Sequence, residues 1–146
     1  NILDLAGGSG RNTSHMLPLG HKAVCVDINI GGVHDLEKET NCEVLQADLE
    51  NGNPWPLTQT FDAIIVINYL HRPLFPRLTF SLKKGGVLIY RTFMIGNEQY
   101  GRPSNPEYLL EQDELFTVFN QDLSILAFDQ GYEEPAAMVQ KICARK

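Results

Sequence analysis

Residues 1–13 read NILDLAGGSGRNT. An apolar run, Ile2 to Ala6, enters a turn holding Gly7, Gly8 and Gly10, and a helical pattern follows from about Asn12 to Leu19. Gly20 supplies its stop, and Pro18 sits where the chain is about to leave helical geometry. A strand that runs into a glycine-rich turn and then a helix brings bare backbone close to whatever binds there. Three ligand classes use such a turn: phosphates, dinucleotides and S-adenosylmethionine (SAM).

Outward from this stretch, short apolar runs alternate with helix-like segments, the pattern of a parallel sheet covered on both faces. Ala23 to Asp27 (AVCVD) reads as a second strand with a helix from about Gly32 to Glu39, and Glu43 to Ala47 as a third strand ending at Asp48. The next segment, NGNPWPLTQT, is rich in turn residues and reads as a loop, with Trp55 as its packing anchor. Phe61 to Ile67 (FDAIIVI) is nearly continuous in β-branched residues, so it reads as a central strand buried on both faces.

Pro73 to Lys84 reads as a helix ended by Gly85 and Gly86, before a fifth strand at Val87 to Arg91. Thr92 to Pro106 is long and irregular, and loops of that length in compact domains are commonly functional. A last helix, about Glu111 to Asn120, precedes Leu123–Asp129 and Ala137–Ala144. These two runs lie too close for a crossover helix, so they pair as an antiparallel hairpin.

The 146 residues, 43% of them hydrophobic, suit one domain over 1–146 with a single core. The formal net charge of -6 and pI near 5.1 leave no basic stripe for nucleic acid. Cys25, Cys42 and Cys143 form no CxxC pair and no histidine stands at metal-ligand spacing, so the reading is no metal, no disulfide framework and a reducing compartment. No signal peptide and no membrane-spanning run is visible, so a cytoplasmic protein is expected.

The acidic positions narrow the ligand. A phosphate-binding loop would read GxxxxGK[ST], but Arg11 follows Gly10 and no GK[ST] exists. A dinucleotide fingerprint would put a third glycine where Thr13 stands. Asp27 ends the second strand, where a carboxylate can accept from ribose hydroxyls, as NAD and SAM both require. Asp48 ends the third, within reach of an adenine amine. Asp4 lies two residues before the turn, placed to support the loop or to meet an ammonium group. Ribose, adenine and a cationic amino acid together describe SAM.

ILDLAGGSG resembles the first motif of class I SAM-dependent methyltransferases, VDIN the acidic end of their second strand, and ADLE their adenine-contacting segment. FDAIIVINYL and LKKGGVLIY resemble the stretches around strands four and five. The resemblance spans the chain and is nearest to small bacterial tellurite-resistance-type methyltransferases. It implies an α/β, Rossmann-like three-layer sandwich with a mostly parallel seven-stranded sheet, order 3-2-1-4-5-7-6 and strand seven antiparallel, in which the N-terminal helices common in the family are missing. It also implies SAM as cofactor, held by Asp4, Ala6, Gly7, Gly8, Gly10, Asp27, Ile28, Asp48, Leu49 and Asn68. Ala6 departs from the family's first glycine, which an extended backbone there would tolerate.

At the carboxyl edge of strand four, Tyr69, His71 and Arg72 are candidates for the acceptor side, with Asn97, Tyr100 and Arg102 from the long loop. His71 is the candidate general base, because its ordinary pKa lies near working pH; otherwise it simply flanks the next helix. Arg72 and Arg102 could form a fork for an oxyanion. The expected activity is methyl transfer to a small-molecule or oxyanion acceptor. A non-catalytic SAM-binding or adenosine-binding domain of a larger protein and an NAD-dependent oxidoreductase remain as alternatives.

Overall fold

The computed structural model describes residues 1–33 and 35–146. Its strands are β1 (Ile2–Leu5), β2 (Ala23–Asp27), β3 (Cys42–Gln46), β4 (Phe61–Ile67), β5 (Leu82–Phe93), β6 (Ser124–Glu133) and β7 (Ala137–Arg145). They form one seven-stranded sheet in the order β3-β2-β1-β4-β5-β7-β6. β1 to β5 pair in parallel, while β7 runs antiparallel to both β5 and β6. From β1 the chain winds outward to β2 and β3, then returns to lay β4 on the other side of β1. That reversal opens a crevice at the carboxyl ends of β1 and β4, the usual ligand position in such sheets.

Side-chain alternation assigns the two faces. On β2, Ala23 and Cys25 pack with Leu17, Val33 and Leu36 on the side of α1 (Arg11–Met16). Val24 and Val26 join the larger cluster, with Phe75 and Leu78 of α2 (Phe75–Ser81) and Leu115 and Phe119 of α3 (Glu114–Phe119). Within it the rings of Phe75, Tyr90 and Phe119 meet with centroids 5.4 to 6.2 Å apart. The buried Tyr90 hydroxyl donates to the Tyr69 carbonyl at 2.9 Å, so the aromatic core also fixes the backbone just past β4.

The helices are shorter than their sequence patterns. After α1 the last turn tightens to a 3-10 turn, Leu17–Leu19, closed by Gly20 in the left-handed conformation. Of the helix expected over about 32–39, the described residues contain only a 3-10 turn, Leu36–Lys38, and position 34 lies outside them. Val33 and Leu36 already bury the crossover's apolar surface there, so no longer amphipathic stripe is needed. The helix expected to reach Lys84 stops at Ser81, because Leu82 pairs with Phe61 and the Lys83–Gly86 stretch becomes an irregularity at the start of β5. α3 begins only at Glu114, behind Asp113 in the left-handed region. The fully buried Gln140 of β7 explains this: its side chain bonds the Leu115 N–H and the Glu111 carbonyl, satisfying backbone that a longer helix would have used.

The segment after β5 is pinned by Asn97, which is 2% exposed. Its amide donates to the Pro103 carbonyl at 3.0 Å and accepts from the Met138 N–H at 3.0 Å. Trp55 packs partly buried against the main core, as its anchoring role requires. No helix among the described residues is long and apolar enough to cross a membrane.

Gly10 shows how tightly the first crossover is packed. At its φ of +70°, an added Cβ would lie 2.4 Å from Leu36 Cδ1 and 2.9 Å from Val33 Cγ1. Gly20, at φ +87°, would meet nothing within 4 Å. Urea denaturation is expected to show Gly20→Ala costing about 1–2 kcal/mol, the left-handed penalty alone. Gly10→Ala should cost about 2–4 kcal/mol, because overpacking adds to that penalty. Equal losses at the two positions would mean that Leu36 and Val33 do not confine the turn.

Candidate active site

The glycine turn closes β1 by leaving extended geometry at once. Ala6 has φ +53°, Gly8 +58° and Gly10 +70°. The extended backbone that would make alanine comfortable at position 6 is therefore absent, and Ala6 carries the strain of a left-handed L-residue, about 1–2 kcal/mol. Gly7 cannot carry a side chain for another reason: a Cβ there would lie 2.6 Å from Cys25 Sγ and 3.1 Å from Asp4 Oδ2.

Beneath this turn sits Asp4, 2% exposed. It accepts from the Thr13 N–H at 3.1 Å, the Thr13 hydroxyl at 2.8 Å and the Asn12 amide at 3.2 Å. These donors meet its charge and tie the end of β1 to the first turn of α1. Of the two roles open to Asp4, the geometry shows loop support; it lines neither of the clefts described below.

Asp27 reaches back across the turn from β2. One carboxylate oxygen accepts from the Gly8 N–H at 2.8 Å, the other from the Asn29 N–H at 2.9 Å. Asp48, just past β3, accepts from the Glu50 N–H at 2.9 Å. Together these strand ends border a cleft of about 380 Å³. Ala6, Ile28, Ala47 and Leu49 supply apolar walls, and Asp27, Asp48, Glu50 and Tyr69 the polar groups. Gly7, Gly8 and Gly10 shape the turn without lining it.

A second cleft, also about 380 Å³, opens on the far side of Tyr69 and Glu50 and shares both residues. Asn68 and Leu70 contribute from the end of β4, Thr92 and Phe93 from β5, Pro103 and Tyr108 from the segment after it. Asn68, expected on the cofactor side, lines this second cleft instead. It holds φ +58°, and its side-chain oxygen accepts from Arg91. The Tyr69 hydroxyl is buried beside the Glu50 carboxylate, with no hydrogen bond of good geometry to it. Burial first, and next the negative charge of Glu50, raise this phenol far above its ordinary pKa, so it stays protonated.

The remaining acceptor-side candidates fall elsewhere. Arg72 forks onto Glu114 at 2.6 and 2.9 Å and donates to the carbonyls of Glu107 and Leu109. It braces the segment before α3 and does not line a cleft. Asn97 is the internal pin of the long loop. Tyr100 stacks against Tyr132 at 5.4 Å on the surface, and Arg102 is exposed and lines neither cleft. His71 precedes the 3-10 turn Arg72–Leu74, its carbonyl accepting from the Leu74 N–H, and lines neither cleft. The arginine fork is thus replaced by a structural ion pair. Sequence reasoning passed over Glu50, although it closes the quoted ADLE, and Tyr108, which no spacing rule connects to β4.

Strand order, reversal at β1 and β4, and an acid at each of the first strand tips define a class I SAM-dependent methyltransferase fold. The family model for the methyltransferase domain matches residues 2–86, and the chain belongs to that family. No curated protein matches it. Among solved structures, TehB from Haemophilus influenzae is similar with a TM-score of 0.79 and 20% identity, covering 99% of this chain and 57% of that one. The chain thus spans 57% of the length of TehB. NodS, an N-methyltransferase from Bradyrhizobium japonicum WM9 in complex with S-adenosyl-L-homocysteine (SAH), gives 0.77 at 16% identity, covering 100% of this chain and 77% of that one. The 1,6-didemethyltoxoflavin-N1-methyltransferase of Burkholderia thailandensis, with bound 1,6-didemethyltoxoflavin and SAH, gives 0.75 at 16%, covering 99% of this chain and 70% of that one.

Two outcomes follow from the turn. Ala6→Gly should relieve the left-handed strain and stabilise the protein by about 1 kcal/mol in urea denaturation; destabilisation would show that the methyl's packing outweighs the strain. Burial pushes the Cys25 thiol from 9.0 up to about 11. The stability it contributes is present below pH 9 and lost as pH rises toward 11, because the unfolded thiol ionises first. At pH 8, iodoacetamide should spare Cys25 in the folded protein, as peptide mapping would reveal; rapid native labelling would contradict the packed arrangement under Gly7.

Proposed function

We propose that the chain transfers a methyl group from SAM to a small-molecule acceptor. What carries this reading is the meeting of two clefts at Tyr69 and Glu50, on the crevice where the sheet order reverses. One cleft has the chemistry of a donor site and the other of an acceptor site. The residues fit SAM on the structure's own terms: three carboxylates without a cation in the lining, apolar side chains on the same wall, and a buried phenol with no well-formed hydrogen bond.

In this reading Asp27 holds the ribose hydroxyls, since each of its oxygens keeps a lone pair beyond the one given to Gly8 or Asn29. Asp48 stands toward the adenine amine, with Ile28 and Leu49 as apolar walls for the base. Asp4, Gly7 and Gly10 act one layer back, keeping the turn in the shape that lets Gly8 and Asp27 meet. When bound, SAM supplies an electrophilic methyl carbon on a sulfonium. The protein's task is then to hold an acceptor atom about 3 Å from it, in line, and to keep water out. Tyr69 orients the two partners from between them, and Phe93, Pro103 and Tyr108 shield the second cleft.

No general base is assigned. An acceptor with a free lone pair needs none, and His71 faces neither cleft. We read the 146 residues as one domain acting in the cytoplasm, where three free cysteines are stable. The net charge of -6 fits a small acceptor better than nucleic acid or a membrane surface.

Calorimetric titration with SAM, SAH and NAD tests the donor assignment. SAM and SAH should bind and NAD should not; preference for NAD would overturn the reading, and SAM binding without turnover on any acceptor would favour a binding module. Asp27→Ala is expected to weaken SAH by about 2 kcal/mol, as for a lost charged acceptor. Urea denaturation of the same variant separates this loss from damage to the turn. Unchanged SAH affinity would release Asp27 from the ribose.

A further inference from the structure

The second cleft has a charge pattern that selects its occupant. Among the described residues, no cation lines it, and its one ionisable acid is Glu50. Of the neighbouring cations, Arg102 is exposed beside Pro103 but does not line the cleft, and the other three are already engaged. Arg72 is bound to Glu114 and two carbonyls. Arg91 is bound to Glu133 and Asn68, and Lys141 to Asp129 and Glu133. An oxyanion entering here would meet Glu50, with Asp48 and Asp27 in the adjoining cleft, and no cation in the lining; Arg91, behind Asn68 and Phe93, is already neutralised by Glu133. Glu50 and Asp48 are exposed, so this repulsion is partly screened by solvent and selects by charge at close range only.

The walls complete the pattern. Tyr108 presents aromatic surface and Pro103 an apolar edge, while the Phe93 ring already holds the Arg91 guanidinium 5.6 Å from its centroid; Tyr108 is the ring suited to stack on a ring or an organic cation. Tyr69, at the junction with the donor cleft, has a buried hydroxyl beside the Glu50 carboxylate that lacks a hydrogen bond of good geometry. We infer that the second cleft takes a small ring-bearing amine, with Glu50 recognising its nitrogen, and excludes oxyanions. This rests on the two-cleft reading above and narrows its acceptor. The amine bound as its ammonium form first releases one proton to water, and its nitrogen then gives its lone pair to the new C–N bond while the methyl carbon's bond to sulfur breaks. The electron pair of that bond goes to sulfur, leaving a neutral thioether, and the proton of the product ammonium passes to water.

The test uses four probes of differing charge: benzylamine, benzyltrimethylammonium, benzoate and tellurite. Each is titrated calorimetrically into the protein, with and without saturating SAH. Both cations should bind about tenfold or more tighter than benzoate, and tellurite should give no binding. Glu50→Gln should erase most of that preference. Tyr108→Ala, in the second cleft only, should weaken both cations severalfold and leave SAH affinity unchanged. Benzoate or tellurite binding as tightly as the amines, no binding of either cation at millimolar concentration, or a preference that survives Glu50→Gln would each overturn the inference. Glu50 is present with or without the donor, so the same order is expected in the titrations lacking SAH. Failure of SAH to bind would overturn the donor assignment while leaving the charge preference to be judged on those titrations alone.

Discussion

Asp4 is a carboxylate at the centre of a parallel sheet, nearly closed off from water, and the site depends on how its charge is met. A buried ion without partners would shift its protonation or unfold the region. Here Thr13 and Asn12 bring three donors to it from the first turn of α1. The bond network therefore links the last residues of β1 to the helix that follows and leaves the intervening turn little freedom. That turn is forced through left-handed geometry at Ala6, Gly8 and Gly10, which aims the Gly8 N–H at Asp27.

The same constraint spreads along the carboxyl edge of the sheet. Asp27 is fixed by Gly8 and Asn29, and its carbonyl accepts from the Ala47 N–H at 2.9 Å. This draws the start of the Asp48 segment against β2. On the other side, Tyr90 in the aromatic core holds the carbonyl of Tyr69, and Arg91 engages Asn68. Packing at the centre of the sheet thus sets the positions of polar groups at its rim. The clefts arise where the chain must diverge on either side of β1 and β4, a consequence of strand order rather than of any one residue.

Much of this was legible along the chain. β4 falls where a run of β-branched residues places it, and Gly20 ends the first helical unit as its permissive backbone predicts. Helix ends were less legible because their termination is tertiary. Gln140, some 25 residues away in sequence from Leu115, takes up the backbone groups that hold α3 to Glu114–Phe119. Leu82 leaves α2 early because Phe61 offers it a strand partner.

For the site, local pattern and distant contact divide in the same way. The glycine turn and the acids Asp27 and Asp48 are recognisable alone, since turn geometry and strand ends are local properties that residue types announce. The sequence by itself therefore marked the glycine turn and the acids that border the first cleft, while the sheet order was what its family resemblance implied. Only the tertiary structure decided which polar groups remain available: Arg72 is withdrawn by Glu114, Asn97 by Pro103 and Met138, and Asp4 by Thr13 and Asn12. It also brought Glu50, Tyr69 and Tyr108 to one surface from separate crossovers. The reason is physical: a side chain's chemistry is written in its type, but its availability depends on partners that only folding brings within hydrogen-bonding distance.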